Sequence, residues 1–429
     1  MSKINIFWFR RDLRLQDNLG LNAALKSDQK VIPIFIFDTE ILNQLDNKSD
    51  RRVDYIHQAL EGIHEELKNY KSGIKTYQGK PLDIFKEIIQ EFDIKTVFCN
   101  RDYEPQAIKR DKEIEDFLNK NNIEFKDCKD QVIFEKDEIV KSDGLPYTVF
   151  TPFSKKWKEK LYQTEIYSTN INFENFHSFE SKNILSLKEI GFEKTDIVFN
   201  EPTLDKKIIE SYDKNRDFPA LDQTTRLGIA LRFGTISVRK CVKYASEHNE
   251  TWLNELIWRE FFMQILYHFP KVVTQSFKEK YEKIEWQNNE DEFKLWCEGK
   301  TGYPIVDAGM RQLNETGFMH NRVRMVVASF LTKHLLIDWR WGEVYFAEKL
   351  LDYELSSNNG NWQWAAGCGC DAAPYFRIFN PSEQTKKFDK DQKYIKKWLP
   401  ENYSEIVPMI DHTFARNRAL ETYKKAVKD

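Results

Sequence analysis

The chain has no surplus of charge of one sign, no disulfide framework and no apolar run of membrane-spanning length. Lys and Arg number 65 against 68 Asp and Glu, a formal net charge of −3. Bulk electrostatics therefore does not announce a polyanionic partner, although segregated basic residues still make a basic face within such a balance. The six cysteines lie scattered between residues 99 and 370. Only Cys368-Gly369-Cys370 forms a close pair, and its spacing suits small buried thiols better than a zinc knuckle. No signal peptide is read at the start, so a reduced, cytoplasmic protein with no membrane association is expected. Internal repeats and low-complexity tails are missing too. No GxGxxG follows the first apolar run, which excludes the dinucleotide fingerprint.

Aromatic residues, by contrast, are abundant: 11 Trp, 18 Tyr and 31 Phe in 429 residues, with nine of the tryptophans beyond residue 250. That length accommodates two domains, and the uneven tryptophans give the halves different work. In the first part, short β-rich runs at residues 4–9, 31–37 and 95–99 alternate with helical patterns near 19–25, 53–67, 81–92 and 107–118. Alternation of this kind predicts an α/β domain with a parallel, doubly wound sheet over residues 1–130. Residues 131–200 are polar and weakly periodic, broken by Pro146, Pro152 and a polar run at 168–172, and read as a connector. Residues 201–429 carry helical periodicity almost throughout, so an all-α domain is expected there.

Three segments in that second part ask for a ligand. Asn358-Asn359-Gly360-Asn361-Trp362-Gln363-Trp364 reads as a loop dense in asparagine and glycine, just after the acidic pair Asp352 and Glu354. Glycine permits close backbone approach, asparagine donates and accepts, and tryptophan offers a flat stacking face. The combination suits a planar, polar molecule. Trp252, Glu255, Trp258, Arg259 and Phe262 share one stripe of a helix. A carboxylate and a guanidinium among tryptophans are costly unless partnered, which leaves a ligand-facing surface and an internal Glu–Arg pair as equal alternatives. Around Asn321, Arg324 and Met325, arginines at a helix start oppose the macrodipole. They point to an anionic partner, to Asp352 and Glu354, or to a solvated basic face. Thr224-Thr225-Arg226-Leu227-Gly228 suits a phosphate cradle less well than simple N-capping by threonine. Trp286, Trp339 and Trp362 are far apart in sequence and read as core.

Together these segments resemble the DNA photolyase/cryptochrome family. Trp8-Phe9-Arg10-Arg11-Asp12-Leu13-Arg14 looks like its N-terminal antenna domain, and residues 224–228, 254–262, 320–325 and 358–381 look like its FAD-binding helical domain. Glu255, Trp258, Met325 and Trp364 match the class I enzymes that repair cyclobutane pyrimidine dimers, where the corresponding side chains line the dimer pocket. Six-four-photoproduct enzymes carry a histidine pair where this chain has only His320. The short stretch after the last motif argues against a signalling cryptochrome, the alternative with the same FAD site and no repair.

The resemblance implies a carbon–carbon lyase, deoxyribodipyrimidine photo-lyase, that is monomeric, binds damaged DNA containing pyrimidine dimers and holds FAD. It assigns Tyr212, Thr224, Thr225, Arg226, Leu227 and Gly228 to the FAD phosphates and ribityl chain. Trp252, Asn321, Arg324, Asp352, Tyr353 and Glu354 fall around the flavin and adenosine, and Asn358 faces flavin N5. Trp362, Trp339 and Trp286 match an electron-passing tryptophan chain. Arg216, Arg259 and Asn321 match positions near the DNA backbone or lesion. Many relatives also hold an antenna chromophore. Tyr103-Glu104-Pro105-Gln106-Ala107 lacks the Asn-Glu pair of folate-binding members, which counts against a folate antenna and leaves a deazaflavin, a second flavin or an empty site.

Overall fold

A computed structural model describes residues 3–165, 172–180, 183–400, 403 and 407–428, so residues 168–171 of the polar run lie outside it. Two compact units emerge: Met1–Glu135 with Leu161–Leu204 and Leu227–Glu247, and Lys136–Lys160 with Asp205–Arg226 and His248–Asp429. The linear division at residues 130 and 200 is therefore not how the chain packs. Residues 131–200 are distributed between the units, because they carry apolar anchors within a polar sequence. Val132, Ile133, Phe134, Phe176, Leu187, Ile190 and Phe192 are buried in the first unit. His177 N–H donates to the Val31 carbonyl at 2.8 Å beside the sheet.

The first unit is built on five parallel strands in the order β3-β2-β1-β4-β5: β1 Ile4–Phe9, β2 Val31–Asp38, β3 Lys75–Gly79, β4 Ile94–Asn100 and β5 Glu124–Cys128. All six residues of β1 are buried, as expected when helices cover both faces of a parallel sheet. Phe7 and Phe9 enter one core while Ile4, Ile6 and Trp8 enter the other, the period-two alternation of a strand. The helices Leu19–Leu25, Arg51–Lys68, Pro81–Glu91 and Pro105–Lys120 lie between strands, where the apolar periodicity places them. The edge strands KTYQG and EFKDC are polar. Their half-solvated position needs no apolar run, so pairing with β2 and β4 makes them strands.

The second unit is helical. Its main helices are Phe150–Leu161, Glu250–His268, Glu290–Cys297, Pro304–Thr316, Asn321–Ser329, Trp339–Lys349, Leu355–Ala366 and His412–Lys428. The helix that begins at Asn321 stops at Ser329 and widens into a π-turn at Phe330–His334. The core of this unit holds Trp296, Trp339, Trp362, Phe330, Phe346 and Tyr394.

Candidate functional site

A cleft of the second unit, about 590 Å³ with its open mouth included, is walled by the helices Asn321–Ser329, Trp339–Lys349 and Leu355–Ala366. Ten residues singled out from the sequence, or flanking them, converge on it: Asn321, Arg324, Met325, Asp352, Tyr353, Glu354, Asn358, Asn361, Trp362 and Trp364. Ala328 and Ala365 keep the floor low, and Phe346 adds a further aromatic face. Flat rings, small residues and convergent amides fit a flavin dinucleotide.

Residues 358–366 are not the loop expected from their composition. They form the Leu355–Ala366 helix, because their polar side chains are satisfied by neighbours instead of competing for their own backbone. Asn359 Nδ2 donates to the Val272 carbonyl at 2.9 Å, and Gln363 Nε2 to the same carbonyl at 3.0 Å. Gly360 packs against Phe262 so closely that a Cβ there would lie 2.2 Å from the ring. Gly367, at φ +89°, closes the helix by donating to the carbonyls of Gln363 and Trp364, a left-handed end that favours glycine. In a helix, residues two apart diverge by about 200°. Trp362 accordingly sinks into the core against Phe346 and Trp296, whereas Trp364 stays half-buried at the cleft.

Asn358 is held by a residue the sequence reading missed. Its Nδ2 donates to the Glu343 carboxylate at 2.9 Å and to the Glu343 carbonyl at 3.0 Å. Burial raises the Glu343 carboxyl above the ordinary carboxylate range, with the Asn358 hydrogen bond opposing the shift. A lone glutamate inside Trp339–Lys349 carries no sequence signal, since only the fold sets it one hydrogen bond from Asn358.

Two of the three tryptophans are buried in one core and the third packs against it from outside. Trp362 is 2% exposed and Trp339 1% exposed, while Trp286 is half-buried and meets Tyr423 edge-on at 5.9 Å. Gly342, one turn beyond Trp339, lets the Trp362 indole lie against the helix backbone.

Glu255 and Arg259 do not pair with each other. Glu255 takes the guanidinium of Arg216, and Arg259 lies 3.5 Å from Glu354 at the cleft wall. Both are half-buried, and Glu255 is pushed toward its neutral form by burial, against the pull of Arg216. Arg216 also lies 5.4 Å over the Tyr212 ring. The expected single stripe is thus divided: Trp252 and Phe262 are buried, and Glu255 and Trp258 are half-buried, none of the four lining the cleft.

The arginines at the Asn321 helix find internal anions. Arg324 bridges to Asp352 at 2.9 Å and donates to the Met319 carbonyl at 2.7 Å. Arg322 bridges to Asp217 at 2.6 Å and lies over Phe388. His320 caps this helix through Nδ1, accepting from Arg322 N–H at 3.2 Å. Burial lowers the imidazole to about 4, so it is neutral at neutral pH.

Thr224–Gly228 is not a threonine cap. The six-residue Gly228–Phe233 helix begins at Leu227 with no side-chain cap, and Arg226 sits at φ +51° paired to Asp222. Thr224, Thr225 and Arg226 belong to the second unit and Leu227 and Gly228 to the first. Cys368 and Cys370 are pushed up to about 12 by burial, so both are protonated thiols at neutral pH. Among the described residues, no helix is long and apolar enough to cross a membrane.

Comparison with known proteins bears directly on this cleft. A family model described as the FAD binding domain of DNA photolyase matches residues 252–406, and one described as DNA photolyase matches residues 5–170. A deoxyribodipyrimidine photo-lyase of Synechococcus is 37% identical over an alignment covering 92% of this chain and 87% of that protein. The structure of a bacterial class III photolyase from Agrobacterium tumefaciens superposes with a TM-score of 0.86 at 31% identity, covering 100% of this chain and 98% of the other. An archaeal photolyase from Sulfolobus tokodaii, solved with two FAD molecules, gives 0.83 at 33% identity over 98% and 99% of the two chains. The chain that folds into this aromatic, amide-lined cleft belongs to the DNA photolyase family.

Proposed function

We propose that this protein repairs cyclobutane pyrimidine dimers in DNA under blue light, as a deoxyribodipyrimidine photo-lyase holding FAD in the cleft of the second unit. The observation that carries the reading is the meeting of Asn358, Met325 and Trp364 on one cleft, where one pocket serves both a flavin and a flat lesion. Bound FAD supplies the light absorption and the single electron that opens the cyclobutane ring and is then returned, so the reaction needs no covalent nucleophile. Arg324 and Asp352 neutralise each other at the wall, leaving it polar without net charge. Asn361 and Ser357 add hydrogen-bonding groups beside them. Asn358, its Nδ2 committed to Glu343, has Oδ1 to accept a proton-bearing nitrogen. Tyr353, Glu354 and Trp252 complete the proposed set around the flavin, with Tyr212, Thr224, Thr225 and Arg226 on its phosphates.

Toward DNA, the flipped lesion loses its stacking partners, and a distorted dimer costs less to extrude than a paired base. Trp258 and Trp364 are the proposed replacements, each worth on the order of 1–3 kcal/mol of stacking. Glu255 is proposed to hydrogen-bond the thymine edges, exchanging Arg216 for the lesion. Arg216, Arg259 and Asn321 are proposed to face the strand, and Trp286, Trp339 and Trp362 to conduct electrons inward. The protein is proposed to act as a cytoplasmic monomer. The antenna is proposed to be a second flavin, by analogy with the two-FAD relative.

Purified protein with its natural chromophores, mixed with an oligonucleotide carrying one thymine dimer, tests the function. Blue light restores the intact thymines and darkness does not. A flavin-containing protein that leaves dimers unrepaired refutes repair and favours the photoreceptor alternative.

A further inference from the structure

A half-buried tryptophan proposed to stack on the lesion already has a ring lying flat against it. Phe150 stacks on Trp258 with ring centroids 3.7 Å apart and planes within 3°. Face-to-face aromatic pairs are disfavoured by their quadrupoles relative to offset or edge-on ones, so something other than ring attraction fixes this pair.

The fixing elements are visible. Phe150 begins the Phe150–Leu161 helix, and its N–H donates to Asp371 Oδ2 at 3.1 Å. The carboxylate thus caps a helix start from the segment that follows Trp364, where the macrodipole favours an anion. One turn on, Phe153 packs on Phe261 at 5.2 Å. A further turn brings Trp157, fully buried, whose Nε1 donates to Glu260 at 2.5 Å. Phe150, Phe153 and Trp157 recur at i, i+3 and i+7, the spacing of one helical face, and all three meet the Glu250–His268 helix. That helix therefore clamps Phe150 onto one face of Trp258 at a fixed angle. Phe261, edge-on to Trp258 at 5.6 Å, prevents sideways rotation.

We infer that Phe150 is a positioning residue for lesion recognition: backed by Asp371, it locks the Trp258 indole so that its remaining surface is presented to the flipped pyrimidine dimer. The inference rests on the proposed repair function. Phe150 touches neither cofactor nor reacting bond and acts through Trp258. Locking the ring beforehand removes the rotamer freedom that binding otherwise has to freeze. Its effect falls on lesion affinity, not on the photochemical step.

The test compares dark binding of flavin-loaded protein to a duplex with one thymine dimer and to the same undamaged duplex, followed by repair of fully bound dimer per absorbed photon. Phe150→Ala is expected to lower the dimer-to-undamaged affinity ratio by roughly threefold to tenfold, a fraction of what loss of a stacking aromatic costs. Undamaged-DNA affinity and repair per bound dimer stay unchanged. Phe150→Tyr, which keeps the flat face, restores the ratio. Phe150→Leu keeps the apolar bulk for folding, loses the face and behaves like alanine. An unchanged ratio in both the alanine and leucine variants overturns the inference, as does an equal fall in ratio and in repair of bound dimer that tyrosine does not restore. Absence of dimer preference in the wild type overturns the repair reading itself, which separates the two failures.

Discussion

Gly342→Ala is the substitution whose outcome depends most directly on the packing around the cleft. Gly342 sits inside the Trp339–Lys349 helix, where alanine in place of glycine normally stabilises by up to about 1 kcal/mol. Here the added Cβ would stand 2.1 Å from Trp362 Cη2, 2.5 Å from Cζ3 and 2.7 Å from Leu331 Cδ2. The indole would have to retreat by roughly 1.3 Å to reach the 3.4 Å of ordinary contact. It has little room to do so, since Trp362 is 2% exposed and flanked by Phe346 at 5.0 Å and Trp296 at 6.2 Å. The cleft that Trp362 lines is the direction in which it can yield.

Overpacking of this kind costs about 1–3 kcal/mol, so it offsets the helical gain of about 1 kcal/mol and leaves a net loss of up to about 2 kcal/mol. For a unit of this size that lowers the melting temperature by a few degrees, and the displaced indole weakens FAD retention severalfold. Gly62→Ala is the control. Gly62 lies exposed in the Arg51–Lys68 helix with nothing within 4 Å of an added Cβ, so the same change there stabilises by roughly 0.4–1 kcal/mol. Thermal unfolding and flavin absorbance after gel filtration read both effects. A Gly342→Ala protein as stable and as flavin-loaded as the Gly62→Ala control would refute the packing argument.

Glu255→Ala is expected to lower repair about tenfold while FAD stays bound, because a charged hydrogen-bond partner is worth roughly 1.5–3 kcal/mol; an unchanged quantum yield would remove Glu255 from the site. Its loss should shift stability by about 1 kcal/mol, since the pair with Arg216 is partly exposed and Arg216 keeps Asp217 beside it. Trp286→Phe is expected to block photoreduction of oxidised flavin and spare repair by flavin already reduced, so ordinary photoreduction in that variant would exclude it from the chain. Lys333 gives a pH prediction. It is fully buried, donates to the carbonyls of Ala366 at 2.9 Å and Tyr375 at 3.3 Å, and burial lowers it from 10.5 to about 7. Between these values the unfolded chain binds the extra proton, so this lysine makes stability rise with pH, by up to about 1.4 kcal/mol per unit. Its contribution is complete above the unfolded value and is lost as pH falls through about 7. Denaturant titrations between pH 7 and 9 should show that slope in the wild type and not in Lys333→Met; equal slopes would mean the buried amine does not titrate there.

The sequence alone determined the fold class and the location of most of the cleft. Apolar runs buried on both faces leave a parallel sheet as the outcome for the first unit, and 3.6-residue periodicity leaves helices for the second. Dense motifs such as residues 321–325 and 358–364 carried enough identity to bring family, cofactor and lining residues with them. Tertiary structure decided what lies between patterns. The edge strands are polar because only pairing makes them strands. The asparagine-rich segment is a helix because Val272 and Glu343 take its amides, partners that composition cannot contain. Glu255 and Arg259 meet Arg216 and Glu354 instead of each other, since the choice among nearby opposite charges depends on distances across elements. Phe150 and Asp371 reach Trp258 only through the docking of one helix on another. Local chemistry repeats along a chain and can be read there, whereas a contact between residues a hundred positions apart exists only once the chain has closed on itself.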